Sequence, residues 1–347
     1  MTEFVGTGQF VQLSAHSLEQ LSKGVLGAIN CNDAIATFVA RHLVQANLMG
    51  IDSHGVVRLP QYVEQVEANY FSPVGTPVVT RCDRGATVIN GGRGFGMPAM
   101  QLAVETGIAQ AKANGVAALG VTNCGHTGRL GAFCETGAKN HCLTIILGGG
   151  ARRDWRQVAP FGGSKGMLPT NPYSFGIPGG ERGSVILDFA TSVGAAGWIY
   201  AAKSAGASLP EDMIIDRNGR SSQDPQDYID GGALLPAGGA KGYGLALLAE
   251  IIGEAMLGRV TTDMNWIMIV IDLERFQGVN QFSASAEAIL AEMRECPPAD
   301  GFSAVEIPGE REKATAEQRQ RDGIPIPQQS WEQITAVAAR LGVPVTT

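Results

Sequence analysis

Two short turns carry the residues of this chain best suited to moving a proton beside an anion. One runs Ile51-Asp52-Ser53-His54-Gly55-Val56-Val57-Arg58, the other Asn123-Cys124-Gly125-His126-Thr127-Gly128-Arg129. Histidine titrates near neutral pH and is the commonest general acid or base. In each turn an arginine follows the histidine within four positions, so an imidazole can serve a carbonyl oxygen while a guanidinium forks onto a carboxylate. Of the other three histidines, His16 and His42 fall in helical stretches and His141 at a helix end. These three read as surface or capping side chains. Spacing alone does not choose between His54 and His126.

Asp188 closes the apolar run Ser184-Val-Ile-Leu-Asp188 and precedes Phe189-Ala-Thr-Ser192. A carboxylate there could orient a histidine or hold a ribose, but a helix N-cap is the simpler reading. Lys241, flanked by Gly238, Gly239 and Gly242, opens an apolar helix, where the helix dipole prefers an anion, and a bound phosphate would resolve that conflict. Gly125, Gly128 and Gly131 follow a strand and open a helix, and such a turn could present N–H groups to a phosphate. No G-x-G-x-x-G stands directly between a strand and a helix, and the nearest candidate, the turn Gly91–Gly96, has the wrong spacing. The six cysteines, Cys31, Cys82, Cys124, Cys134, Cys142 and Cys296, form no C-x-x-C pair. They read as reduced and mostly buried, and no metal site is expected.

The elements that must position these residues alternate without a regular βαβ repeat. Residues 14–47 look helical, 53–60 form a break, and Pro60 suits the first turn of the next helix. Strands are expected around 78–90, 116–123, 143–149, 184–192 and 266–276, with helices at 97–114 and 281–294 and a turn followed by a helix over 125–140. Residues 239–258 read as a helix whose apolar face is Leu245, Leu248, Ile252 and Met256. The tail 314–341 reads as two helical pieces separated by Ile324-Pro-Ile-Pro327.

The chain has 347 residues, 44% hydrophobic and 17% charged, with 46 glycines and a net charge of -7. That length buries a sizeable core without disulfide or metal staples. No basic stripe argues for a nucleic-acid partner, and an anionic substrate would need a local positive site. The N-terminal stretch Met1–Phe10 lacks the basic and apolar regions of a signal peptide, and no run is long enough to span a membrane. A cytoplasmic protein is expected.

Several segments taken together resemble one family. They are GIDSHGVVRLPQYV, the GGRGFG turn, NCGHTGRLGAF, APFGG with LPTNPYSFGIP, ILDFATSV, GALLPAGGAKGYGLALLAE, and IPGERE followed by DGIPIP. In this order, and over almost the whole chain, they are similar to the malate/L-lactate dehydrogenase family that lacks a Rossmann fold. Its members include ureidoglycolate, sulfolactate and diketogulonate oxidoreductases and the piperideine/pyrroline-2-carboxylate reductases.

The resemblance implies a mixed α/β (α+β) fold. Its non-Rossmann dinucleotide-binding domain would be built on a largely antiparallel sheet, with helical N- and C-terminal segments packed together. It divides the chain into 10–75 with 311–345 (helical), 76–121 with 233–310 (mixed), and 122–232 (cofactor-binding). It also implies a homodimer, an NAD or NADP cofactor, no metal and a small anionic substrate. His54 matches the family's acid/base histidine, Arg58 the arginine facing the substrate, and His126 a histidine that some members use as the base. Asp188 matches a cofactor-site carboxylate that could support the histidine. Thr170 and Asn171, then Ala190, Thr191 and Ser192, then Lys241 and Gly242, and finally Pro308, Gly309 and Glu310 match cofactor-contacting segments.

There are departures: Cys124-Gly125 precede His126 where the family has Ser-Asn, Thr127 follows it where an aromatic is usual, and Ser164–Pro169 replaces a charged stretch. The implied reaction is hydride transfer between nicotinamide and C2 of a 2-hydroxy or 2-oxo acid. The alternatives are reduction of cyclic imino acids on the same residues, and a non-catalytic nucleotide-binding regulator. Arg152, Arg153 and Lys165 are the candidates for reading a ribose 2′-phosphate.

Overall fold

The computed structural model describes residues 9–81, 85–204 and 206–345. Cys82 and the N-terminal residues 1–8 lie outside these. The chain forms two compact units, a larger one of Phe10–Ile146, Ser174–Asp188 and the residues from Met268, and a smaller one of Leu147–Tyr173 and Phe189–Ile267.

In the larger unit the first helical stretch is two helices, Ala15–Ala28 and Asp33–Leu48, not one. Asparagines make the break. Asn30 takes a left-handed φ of 67°, and Asn32 Oδ1 accepts the Ile35 N–H at 2.8 Å as an N-cap. Two 3₁₀ turns, Asp52–His54 and Val56–Arg58, lead into the helix Leu59–Glu67, with Pro60 in its first turn as expected. The helices Glu310–Asp322 and Gln328–Arg340 form the tail. The Ile324–Pro327 segment between them is not a mere spacer. It is a strand that pairs antiparallel with Phe10–Leu13 and so ties the two chain ends together.

A seven-stranded sheet has most of its residues in the larger unit. Its order is Val78–Arg81, Thr87–Asn90, Val116–Thr122, Asn265–Asp272, Cys142–Gly149, Tyr173–Ile177, Val185–Phe189. The first pair is antiparallel and the second parallel, so the sheet is mixed and not a doubly wound parallel one. The helix Gly96–Asn114 packs closely on it. A Cβ on Gly107 would lie 2.7 Å from the Val270 side chain, and Met97, Met100, Ala103, Val104, Leu119 and Met268 are all buried.

The smaller unit has a three-stranded antiparallel sheet, Ala233–Leu234, Ile214–Ile215 and Ser221–Ser222 in that order, over a core that includes Val158, Leu168, Ile199, Met213 and Ala246. Its helix Ala240–Glu250 runs on as a π-helix, Ile251–Met256, and not as the single α-helix expected. The π turn places Gly253 where a Cβ would lie 2.2 Å from the Gly149 carbonyl carbon, and Asn265 Nδ2 donates to the carbonyls of Gly253 and Gly258 (2.9 and 2.8 Å). The expected apolar face is also corrected. Ala246, Ala249, Glu250 and Gly253 face inward, while Leu248 and Met256 are 55% and 61% exposed. Small residues allow the close backbone approach, and a helix apolar all round leaves leucines outside.

Among the described residues no group of His, Cys, Asp and Glu could hold a metal ion, and no helix is long and apolar enough to cross a membrane. Cys31, Cys124, Cys134 and Cys142 are buried free thiols and Cys296 is exposed.

Candidate active site

The turn bearing His54 is held by one asparagine. Asn47, at the end of the helix Asp33–Leu48, accepts the Val56 N–H through Oδ1 (2.8 Å) and donates through Nδ2 to Asp52 (2.6 Å). Arg319 of the tail grips both Asp52 carboxylate oxygens, at 2.7 and 3.0 Å, and the Asn47 carbonyl. Gly55 is forced by this arrangement, since a Cβ there would lie 2.1 Å from Asn47 Oδ1. On this base His54 sits half-buried, its Nδ1 bonded to Ser53 Oγ at 2.9 Å. Arg58 donates from Nε to the Ser53 carbonyl and from Nη1 to Gln61 Oε1, each at 2.7 Å. Among the described residues Arg58 has no carboxylate partner, and its Nη2 makes no protein hydrogen bond.

The second turn is brought against the first. The His126 ring stacks on His54, with centroids 5.5 Å apart and planes at 26°, and His126 Nδ1 lies 2.7 Å from the Tyr62 hydroxyl. Its arginine is spent elsewhere. Arg129, 5% exposed, pairs with Glu135 at 2.7 Å. Three of the turn's amides are engaged as well. The Gly125 N–H goes to the Gly94 carbonyl, that of Arg129 to His42 Nε2 (3.0 Å), and that of Gly131 to Asp188 Oδ2 (2.7 Å). Of the glycine amides in this turn, those of Gly125 and Gly131 therefore already have protein acceptors.

His42 also departs from the sequence reading. It is buried, stacks on Phe133 at 5.3 Å, and holds the second turn through the Arg129 amide. Gly128, at φ 69°, makes room for it, since a Cβ there would meet His42 Nε2 at 2.4 Å. His16 and His141 are exposed, as expected. Asp188 does cap a helix, but across space. It binds the first amide of Gly131–Lys139 and not a helix of its own segment.

Burial and mutual repulsion keep the three clustered imidazoles neutral. Desolvation, then Arg129 and His54, lower His42 to about 3. Desolvation, then Arg58 and Arg129, lower His54 to about 4. His126 falls well below its usual value through desolvation, then Arg58, His54 and His42. The Asp188 side chain reaches solvent in the free chain, yet the protein packed around it strips enough water to raise its carboxyl to about 6.

The remaining predicted residues fall into two groups. In the smaller unit the buried Thr191 donates from its amide and Oγ1 to the Thr170 carbonyl (both 2.9 Å), and the half-buried Ala190 precedes it. Ser192 bridges Pro236, and a Cβ on Gly242 would collide with the carbonyls of Ala237 and Thr191. These contacts bring Thr170, Thr191, Ser192 and the Lys241-Gly242 loop together. Asn171, buried at φ 37°, donates to Glu250 Oε1 at 2.8 Å, while its own Oδ1 is buried with no partner. Lys241 is exposed and makes no ion pair among the described residues.

In the larger unit the Pro308 carbonyl accepts the Ile186 N–H two residues from Asp188, and Gly309 turns at φ 100°. Glu310 is engaged by Arg294 at 2.8 Å and by the Ile307 amide at 3.2 Å. Arg152 and Arg153 both pair with Glu254, while Lys165 is exposed. Sequence reasoning missed His42, Tyr62, Asn47 and Arg319 as parts of the site. Only Asn47, a polar residue closing an apolar helix just before the turn, carried a local signal.

Residues 13–335 match the family model described as malate/L-lactate dehydrogenase. The chain is 32% identical to hydroxycarboxylate dehydrogenase B of Escherichia coli K12, over 97% of this chain and 96% of that one. It is 28% identical to the Delta(1)-pyrroline-2-carboxylate/Delta(1)-piperideine-2-carboxylate reductase of Pseudomonas putida, over 94% and 96%. Among solved structures it superposes on a putative malate/lactate dehydrogenase from E. coli with a TM-score of 0.88, at 30% identity and 96% coverage of both chains.

Proposed function

The chain belongs to the malate/L-lactate dehydrogenase family and is an oxidoreductase of CH–OH groups, and on that premise we propose that it interconverts small 2-oxo and 2-hydroxy acids with His54 as acid and base. The observation that carries this reading is Arg58, a cation with no carboxylate partner among the described residues, beside two stacked neutral histidines. A substrate carboxylate on Arg58 Nη2 supplies the missing anion. That negative charge also raises the His54 pKa, so the ring can take up the proton it lacks in the free chain. As negative charge gathers on the C2 oxygen, His54 Nε2–H gives up its proton and the O–H bond forms. In the reverse direction neutral His54 takes the hydroxyl proton.

A nicotinamide dinucleotide, NAD or NADP, would supply or accept the hydride when bound. The residues fit such a group. Asn171 Oδ1 is a buried acceptor with no partner among the described residues, and the Lys241 ammonium opens the helix Ala240–Glu250 without an ion pair. Thr170, Ala190, Thr191, Ser192 and Gly242 would line the same side of the cofactor. Asp188, Pro308 and Gly309 are the larger unit's own candidates for contacting a cofactor. Glu310, already engaged by Arg294, would support that turn from behind.

We also propose a homodimer in the cytoplasm. The exposed Leu247, Leu248, Ile251 and Met256 give one helix an apolar surface of the kind a second subunit covers. The likeness to an imino-acid reductase supports a second reading on the same residues, in which a nitrogen and not an oxygen takes the proton. A panel of 2-oxo acids, with and without methylamine or ammonia, and of cyclic imino acids, followed by NADH and NADPH absorbance, tests both. Turnover of oxo acids without amine is expected, and turnover of imines alone would replace the first reading by the second.

A further inference from the structure

Tyr62 is fully buried, and its ring is packed edge-on against Phe71 and Phe95, with centroids 6.3 and 5.4 Å away. Its hydroxyl lies 2.7 Å from His126 Nδ1. A phenol, with a pKa of about 10, is a good donor, and an unprotonated ring nitrogen is a strong acceptor. The favoured bond therefore runs from the Tyr62 O–H to His126 Nδ1. A neutral imidazole that accepts at Nδ1 carries its hydrogen on Nε2.

His54 is held differently. Its Nδ1 partner is the hydroxyl of Ser53, whose oxygen accepts from Nδ1–H both in the charged ring and in the neutral ring left when Nε2 gives up its proton. His54 thus keeps its partner in both charge states. The groups facing His126 are His42 from the helix Asp33–Leu48 and His54 and Arg58 from the 3₁₀ turns, all of them basic, and the stacked rings disfavour a proton on both at once.

We propose that Tyr62 is a positioning residue that fixes His126 as a neutral Nε2–H donor to the substrate C2 oxygen, leaving His54 to gain and lose the proton. This assignment rests on the oxo-acid reading of the site given above. It gives the two histidines separate duties, one stabilising the developing oxyanion and the other transferring the proton.

Tyr62→Phe removes one oxygen and keeps the ring packing. In protein labelled with nitrogen-15 histidine, with His126 assigned by its absence in His126→Gln, the ring-nitrogen shifts at alkaline pH report the tautomer. The expected result is Nε2–H alone in the unaltered protein and a mixture of tautomers in Tyr62→Phe. Turnover of the oxo acid should fall about tenfold in Tyr62→Phe, the size of one hydrogen bond. KM and the pH midpoint of kcat should stay in place. His126→Gln, which retains an N–H donor, should keep more turnover than His126→Ala. Protonation at Nδ1 of His126 in the unaltered protein would overturn the proposal. So would a moved pH midpoint in Tyr62→Phe, because it would make His126 the titrating group. If the unaltered enzyme turns over no oxo acid, the functional reading fails, while the ring-nitrogen spectrum still decides the tautomer.

Discussion

The turns 52–58 and 123–131 are alike in sequence and opposite in electrostatics. Each offers a histidine followed by an arginine. In the first, the arginine keeps an open charge, the histidine rests on a rotatable serine hydroxyl, and the backbone is clamped from behind by Asn47, Asp52 and Arg319. In the second, the arginine is neutralised by Glu135, the histidine is bonded to a buried phenol, and the amides go to His42 and Asp188. Residue type alone therefore does not make a substrate site. What matters is whether the surrounding fold has already satisfied the charge.

The largest expected effect breaks the comparison at its centre. His54→Ala should lower kcat by about 10²–10⁴-fold, the range of general acid–base catalysis, while cofactor still quenches intrinsic fluorescence with unchanged affinity. Retention of most turnover in His54→Ala would transfer the proton role to the second turn.

The two arginines then sharpen it. Arg58→Ala should cost about 2–3 kcal/mol of transition-state binding, roughly 30–150-fold in kcat/KM for the oxo acid, and leave the melting temperature nearly unchanged. Arg129→Met should do the reverse. It strands Glu135 in a largely buried position (side-chain exposures 5% and 17%), and breaking such a pair costs about 3–5 kcal/mol of stability. Urea denaturation and steady-state kinetics on both variants separate the two cases. An Arg129→Met protein of full stability but raised KM would mean that this arginine, too, faces the substrate.

How much of this was legible follows from range. The 53–60 break, Pro60 at a helix start and the glycines beside both histidines are local signals, and they placed the first turn correctly. The absence of a Rossmann unit was legible for the same reason. Tyr62 and His126 are 64 positions apart, and His42 reaches Arg129 across 87, so no periodicity could join them. In the helix Ala240–Glu250 the signal failed differently. Apolar residues occur all round it, so spacing named a face that small residues and the π turn overruled. Asn30 and Asn32 did carry a local signal for the break between the first two helices, but a continuous apolar pattern masked it.

The smallest effects lie in the pH dependence of stability. His42 and His54 have folded pKa values of about 3 and 4, below the value of about 6.5 of the unfolded chain, and His126 shifts in the same direction. Each is a base whose protonated form the fold rejects, so the unfolded chain binds more protons as soon as pH drops below about 6.5. Stability is therefore full above neutrality, falls as pH decreases through 6.5, and stops falling on this account below the folded values. Asp188 acts with the opposite sign. Raised to about 6, it takes up its proton earlier when folded, which returns stability between about 6 and its unfolded value and offsets roughly one histidine. Three groups against one leave a net loss on the acid side. His42→Gln retains an acceptor for the Arg129 amide but cannot titrate. Its urea midpoint should lie close to that of the unaltered protein at pH 8 and fall less steeply between pH 6.5 and 4.5. An unchanged slope in His42→Gln would show that protonation of this histidine is not what the second turn resists.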